Sequence, residues 1–371
     1  MKRGRGVRGA GIVALAAVVG IACTPHGSTR AGASAKAGAD ASASANASAD
    51  ADASADASAD TDASAEPAGI TFDEILRVLF AEKISEAPIL AACPSSLPPD
   101  ARVRCLYDER YKGDPKAAGI AHELFVKWRI VAGVEVAHTM DGGYRGMIRI
   151  EPAVPVGENR HHLEWVAAAI RDFDTFFGEL ERFRAGRTPA GRSVLYTANA
   201  PSPKPYRFEP ITLRFMRSVG ARTPAAYAHD WEVAYNFNGT LNISADSVRE
   251  TMFHEIFHLN DAAHGDWSPR ALGAIFDVVA KKCGTSIACL GPYTPNETTV
   301  RGGTYYAFQP GNGVTEYAAE LALRYYREQR AVLRGLPRVK PFKCGPPQNA
   351  QAWNAIRDEL FAGVDAVPAC P

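Results

Sequence analysis

The chain has 371 residues, and its 41 Lys and Arg are balanced by 41 Asp and Glu. Zero formal charge offers no basic surface and excludes nucleic acid as a partner. The length leaves room for a leader, a linker and one large folded domain or two coupled ones.

Residues 1–23 read as an export signal. Lys2, Arg3, Arg5 and Arg8 precede an apolar run from Gly9 to Ala22, which is shorter than the roughly 20 residues a membrane-spanning helix needs. Its end, Gly20-Ile21-Ala22-Cys23, resembles a bacterial lipobox, with Gly standing where Leu is usual. That resemblance implies lipidation of Cys23 and an exported protein anchored to the bacterial envelope, most naturally the outer membrane. Without lipidation the chain would be periplasmic or secreted. Residues 24–68 are a different material. From Ala31 to Ala65 they are almost only Ala, Ser, Asp and Gly, too poor in large apolar side chains to repay the entropy of ordering. This stretch reads as a disordered acidic tether. Loss of the basic leader leaves the mature chain mildly acidic.

In the folded part, 70–80 has the pattern of a short amphipathic helix, with Thr71 and Glu74 as a capping box. Pro- and Cys-rich chain follows to Cys105. Residues 123–151 read as strand-rich, with a hairpin turning at Asp141-Gly142-Gly143. Leu163, Val166, Ile170, Phe173, Phe177, Leu180 and Phe183 recur every three or four residues and predict a long helix over 159–184. A strand is expected over 210–216, and strands over Trp231–Ile243 with a turn at Asn238-Gly239. A helix then runs through Leu259, started by Ser247 with Glu250 or by Ser244. Another is expected around Glu316, starting near Asn312 or Thr315. Six cysteines remain after Cys23, and an even number in an exported chain suggests disulfides. The simplest pairing is local: Cys93 with Cys105, Cys283 with Cys289, Cys344 with Cys370.

The chemistry lies in His254-Glu255-Ile256-Phe257-His258. Residues four apart on a helix share a face, so the two imidazoles can grip one zinc ion. Glu255 sits one position round the helix, where it can take a proton from a water on the metal. A catalytic zinc needs a third protein ligand and an open position. Two residues compete for that place. His264 lies six residues after His258, so HEIFHLNDAAH nearly fits the extended metzincin motif, with Asp261 where Gly is usual. A metzincin also needs a downstream methionine turn, and Met1, Met140, Met147, Met216 and Met252 all precede His264. The rival is Glu316, on its own helix.

His-Glu-x-x-His-x-x-Asp, then Tyr305-Tyr306, then Glu316-Tyr-Ala-Ala-Glu320 resembles the lethal factor-like gluzincin metallopeptidases over residues 160–330. Phe257 departs from the Gly common before the second His, and an inserted FQPGNGV lies between Tyr306 and Glu316. The resemblance implies that Glu316 completes the metal site and that Tyr305 or Tyr306 donates a hydrogen bond to the oxyanion. It also implies that Asp261 and Glu320 orient the ligand imidazoles. The expected fold is α+β: a zincin-like catalytic domain over 156–371 with its active-site helix, preceded by a smaller strand-containing region over 69–155. By analogy with zincins, the Tyr235–Ile243 segment would be an edge strand binding extended peptide. The expected function is zinc-dependent hydrolysis of peptide or protein substrates. The alternative is a surface-anchored binding or structural lipoprotein with little turnover.

The leader makes one testable statement. Replacing Cys23 by Ser should move the protein from the membrane to the soluble fraction, since the tether holds no other apolar anchor. Wild-type protein already soluble and lacking acyl groups by mass spectrometry would mean an ordinary cleaved signal.

Overall fold

The computed structural model describes residues 70–82, 85–142, 146–187, 206–300 and 303–371. The leader, Cys23, the tether and Gly143 of the expected hairpin turn lie outside them. Helix α1 spans Phe72–Leu79. Its capping box is the expected one: Thr71 Oγ1 accepts from the Glu74 amide at 3.3 Å, and Glu74 Oε2 accepts from the Thr71 amide at 2.7 Å. Three helices follow: α2 (Glu86–Ala92), α3 (Pro99–Arg110) and α4 (Pro115–Trp128). They replace the irregular chain expected up to Cys105 and the strand expected from residue 123. The prolines mislead here, because Pro99 and Pro115 begin helices rather than break them. At the first helical position the missing N–H costs nothing.

The strands are β1 (Val131–Val134), β2 (His138–Asp141), β3 (Met147–Pro152), β4 (Thr212–Val219), β5 (Ala226–His229) and β6 (Glu232–Asn236). They form one sheet in the order β2-β3-β4-β6-β5, and β1 also pairs with β4. The expected hairpin is β2 with β3, antiparallel. β1 runs parallel to Thr212–Phe215 of β4, and β3 runs antiparallel to Met216–Val219. Both therefore lie along the edge of β4 opposite β6, one after the other. This pairing crosses the boundary expected at residues 155–156, because strands on either side of it hydrogen-bond to each other.

The Tyr235–Ile243 expectation needs correction. The strand stops at Asn236 and lies between β4 and β5, so it is not an edge strand; β5 is outermost at that end of the sheet. The turn at Asn238-Gly239 exists, but it leads into a helix. Gly239 is required there, because a Cβ would come within 2.8 Å of the Ala225 Cα.

The remaining helices are α5 (Arg160–Arg187), α6 (Ala245–Ala263), α7 (Trp267–Cys283), α8 (Ile287–Leu290), α9 (Gly313–Leu333) and α10 (Pro347–Leu360). The molecule is thus a mixed α+β protein. Leu163, Val166, Ile170 and Phe173 of α5 are fully buried, as their spacing requires. An aromatic cluster joins α5, α6 and α9. Phe253 stacks on Tyr326 at 4.4 Å and on Tyr206 at 4.9 Å, and meets Phe173 edge-on at 5.4 Å. At one end of the cluster Asp172 of α5 binds Tyr326, Arg330 and Arg334 of α9.

The disulfides are Cys93–Cys105, Cys283–Cys289 and Cys344–Cys370, the pairing expected from sequence. Three disulfides suggest an oxidising, exported environment. No helix among the described residues is long and apolar enough to cross a membrane.

Phe253 precedes the first candidate ligand, so its packing sets the seat of the site. Phe253→Ala should cost about 3–5 kcal/mol of stability, the usual penalty for emptying an aromatic core position. Urea denaturation followed by fluorescence measures it. A cost below about 1 kcal/mol would show that the cluster does not hold the helices together.

Candidate metal centre

Helix α6 starts one turn earlier than a Ser247 cap would have it. Ser244 is the N-cap, and its reciprocal partner is Ser247 rather than Glu250: each side chain accepts from the other's amide, at 3.2 and 3.1 Å. From there the helical repeat places His254 and His258 on one face, turned toward α9. Helix α9 begins after Asn312 and carries Glu316 and Glu320 at the same four-residue spacing. Ala318, Ala319 and Ala322 are fully buried and small, which lets α9 approach its neighbours closely. Two pairs of polar side chains, one from each helix, therefore meet in a buried interface.

Their geometry could hold a metal ion. His254 Nε2 lies 3.2 Å from His258 Nε2 and 3.1 Å from Glu316 Oε2, and Glu316 Oε1 lies 3.6 Å from His258 Nε2. A tetrahedral zinc with bonds of ~2.0–2.1 Å sets its ligand atoms about 3.3–3.4 Å apart. Each imidazole nitrogen thus lies near that spacing from the other and from one oxygen of Glu316, His254 from Oε2 and His258 from Oε1. Their donor atoms all lie within 4.8 Å of one another, and the group could bind a metal ion. Glu320 Oε1 sits 3.1 Å from His254 Nδ1, and its Oε2 accepts from Asn296 Nδ2 at 2.9 Å. An Nδ1–H donated by His254 to Glu320 would leave Nε2 for a metal ion.

The competing ligand is elsewhere. His264 forms the C-cap of α6, and its Nδ1 pairs with Glu359 Oε1 at 2.7 Å. Asp261 accepts from the Ser268 amide at 2.7 Å and from its hydroxyl at 2.6 Å, so the carboxylate fastens the end of α6 to the start of α7. The two tyrosines separate as well. Tyr306 is buried and donates to Glu316 Oε2 at 2.8 Å, whereas the Tyr305 hydroxyl lies beside Gly291.

Glu255 is 1% exposed, and its Oε2 finds no hydrogen-bond partner. A buried carboxylate oxygen left without a donor is costly. Glu255 lines a small pocket of about 90 Å³ together with His254, Tyr306, Glu320, Glu250 and Thr298. Burial raises the Glu255 pKa, with His254 and His258 opposing and Glu316 reinforcing. Glu316 moves the other way. Burial alone would raise it, but the charge of His258 and the hydrogen bonds of both imidazoles hold its carboxyl far below the usual range. Burial disfavours a charged His254, yet its bonds to Glu316 and Glu320 raise its pKa well above normal. Three buried carboxylates thus face two imidazoles, and a divalent cation held there would offset carboxylate charge.

Sequence reasoning missed Asn296. It lies in a loop, its side chain holds both the carboxylate and the backbone carbonyl of Glu320, and its Oδ1 accepts from Arg327 Nη1 at 3.0 Å. No spacing rule marks such a residue. No family model matches the chain, and neither the curated proteins nor the solved structures contain a match.

The geometry separates the two candidate third ligands. Glu316→Ala should lower zinc affinity by at least a hundredfold, and His264→Ala by no more than a few fold. Competition with a chromophoric chelator reads both constants. The reverse ranking would remove Glu316 from the metal site.

Proposed function

We propose that this protein is a zinc metallopeptidase of gluzincin type, with His254, His258 and Glu316 as ligands and Glu255 as general base. The observation that carries the reading is the unpartnered, buried Glu255 Oε2 beside the His-His-Glu triangle. A metal site that only stabilised the fold would have no use for a carboxylate there, which counts against the alternative of a non-catalytic surface lipoprotein. Two imidazoles and one carboxylate, with a fourth position left open, are the donor set of the His₂Glu zinc peptidases.

When bound, zinc would supply a Lewis acid that lowers the pKa of water to ~7 and polarises the scissile carbonyl. Glu255 would take the proton of the attacking water and return it to the leaving amine. Burial raises its pKa, which makes the carboxylate a stronger base than a free one. The Tyr306 hydroxyl, bonded to Glu316 here, would turn to the oxyanion as the carbonyl oxygen gains charge. Glu320 would keep the His254 ring in register, and Asn296 would keep Glu320 in place. Strand β5 packs against α6 and lies at one end of the sheet. An extended peptide would pair with it through backbone hydrogen bonds. The pocket beside Glu255 has room for a small side chain. In the cell the enzyme would act outside the cytoplasm, held to the envelope through Cys23.

Glu255→Gln tests the assignment, because it removes the base and no ligand. The variant should keep one zinc and lose hydrolysis of an unfolded substrate such as casein by about 10²–10⁴-fold. Undiminished turnover in Glu255→Gln, or no turnover by zinc-loaded wild type, would contradict it.

A further inference from the structure

A second cavity of about 510 Å³ lies along the later turns of α9. A row of joined polar side chains stands between it and the 90 Å³ pocket beside Glu255. Glu250 and Glu320 line the pocket, whereas Arg327 and Asn296 line the cavity. Each pocket residue touches a cavity residue. Glu250 Oε1 lies 3.3 Å from Arg327 Nε, and Glu320 Oε2 accepts from Asn296 Nδ2 at 2.9 Å. Arg327 Nη1 donates to Asn296 Oδ1 at 3.0 Å and ties the two contacts together. Helical spacing builds the row: Glu250 is one turn before His254 on α6, and Arg327 is two turns past Glu320 on α9.

The two contacts differ in what can reach them. Asn296 is 5% exposed, and its bond to Glu320 belongs to the support of His254. The side chains of Glu250 and Arg327 are 33% and 48% exposed, so a group entering the pocket can meet them. Among the described residues neither bonds a candidate metal ligand. The pocket wall is otherwise largely apolar, with Ala225, Leu241 and Leu323. A long side chain could pass only by parting Glu250 from Arg327, which would leave a half-buried carboxylate without its cation.

We propose that the Glu250–Arg327 pair is a specificity wall, limiting the pocket to a small substrate side chain beside the scissile bond, such as Ala, Ser or Val. Its removal would join the pocket to the larger cavity. The inference rests on the peptidase reading and adds two specificity-determining residues to it. A wall discriminates by volume, and each methylene that does not fit costs roughly tenfold or more.

Two readouts on the full-length, zinc-loaded protein test it. The first is the cleavage profile on a randomised peptide pool, read by mass spectrometry. The second needs no turnover: calorimetric binding of the hydroxamates of alanine, valine, leucine and phenylalanine to the Glu255→Gln protein. The hydroxamate would take the metal, and the side chain the pocket. With the wall intact, Ala or Val should be favoured over Leu and Phe by at least roughly tenfold in both. Glu250→Ala should give Leu and Phe a relative gain of the same size, and Arg327→Ala should shift the preference in the same direction. Glu250→Gln, which keeps the volume, should restore the preference for small side chains. A small preference that neither truncation moves, or an intact wall that favours Leu or Phe, would overturn this proposal alone. Zinc-loaded protein that neither cuts the pool nor binds any hydroxamate would overturn the peptidase reading with it.

Discussion

The contact between α6 and α9 is the constraint on which the site depends. Each helix brings a polar pair at four-residue spacing, His254 with His258 and Glu316 with Glu320, and the crossing turns the pairs toward each other. Such groups are expensive to bury. They stay buried because apolar packing on either side leaves no alternative: Phe253 stacks on Tyr326, and α5 closes over both. The aromatic core thus sets the helix separation, and the helix separation sets the distances among ligand atoms. Electrostatics alone would drive the carboxylates apart. A cation between them reverses that sign, and metal binding would then add its free energy to folding.

How much of this was legible in the sequence depended on how local the signal was. The α5 helix followed from an apolar repeat, and the α6 helix with its two histidines from a five-residue motif, because both patterns reside in one turn-to-turn spacing. The three disulfides were readable because each pair is close in sequence. Helices α3 and α4 were hidden by prolines whose favourable place at a helix start cannot be told from a break by composition. Strand β5 is four residues long, too short for an alternation to register. The edge position assigned to the Tyr235 segment failed for a different reason: which strand lies outermost is decided by pairing partners, and Ala226–His229 adds itself outside β6.

The third ligand shows the same limit. Spacing offered His264, six residues beyond His258, while the missing Gly and downstream methionine, with the resemblance, favoured Glu316; the fold places them apart. The end of α6 carries His264 away to Glu359, and α9 returns Glu316 from 62 residues downstream in sequence. Asn296 was invisible because its importance lies in what it holds, the Glu320 carboxylate, rather than in its neighbours along the chain. Residues that position others are found by following hydrogen bonds outward from the candidate ligands, and here that path runs from His254 through Glu320 and Asn296 to Arg327.

The central claim is that two imidazoles and one carboxylate from crossing helices hold a zinc ion and leave one position open. X-ray absorption at the zinc edge of the zinc-loaded protein addresses it most directly. The account predicts four nitrogen and oxygen neighbours at ~2.0–2.2 Å, with outer-path scattering from two imidazoles and none from sulfur. Scattering from three imidazoles, or a zinc ion bound by sulfur, would contradict it.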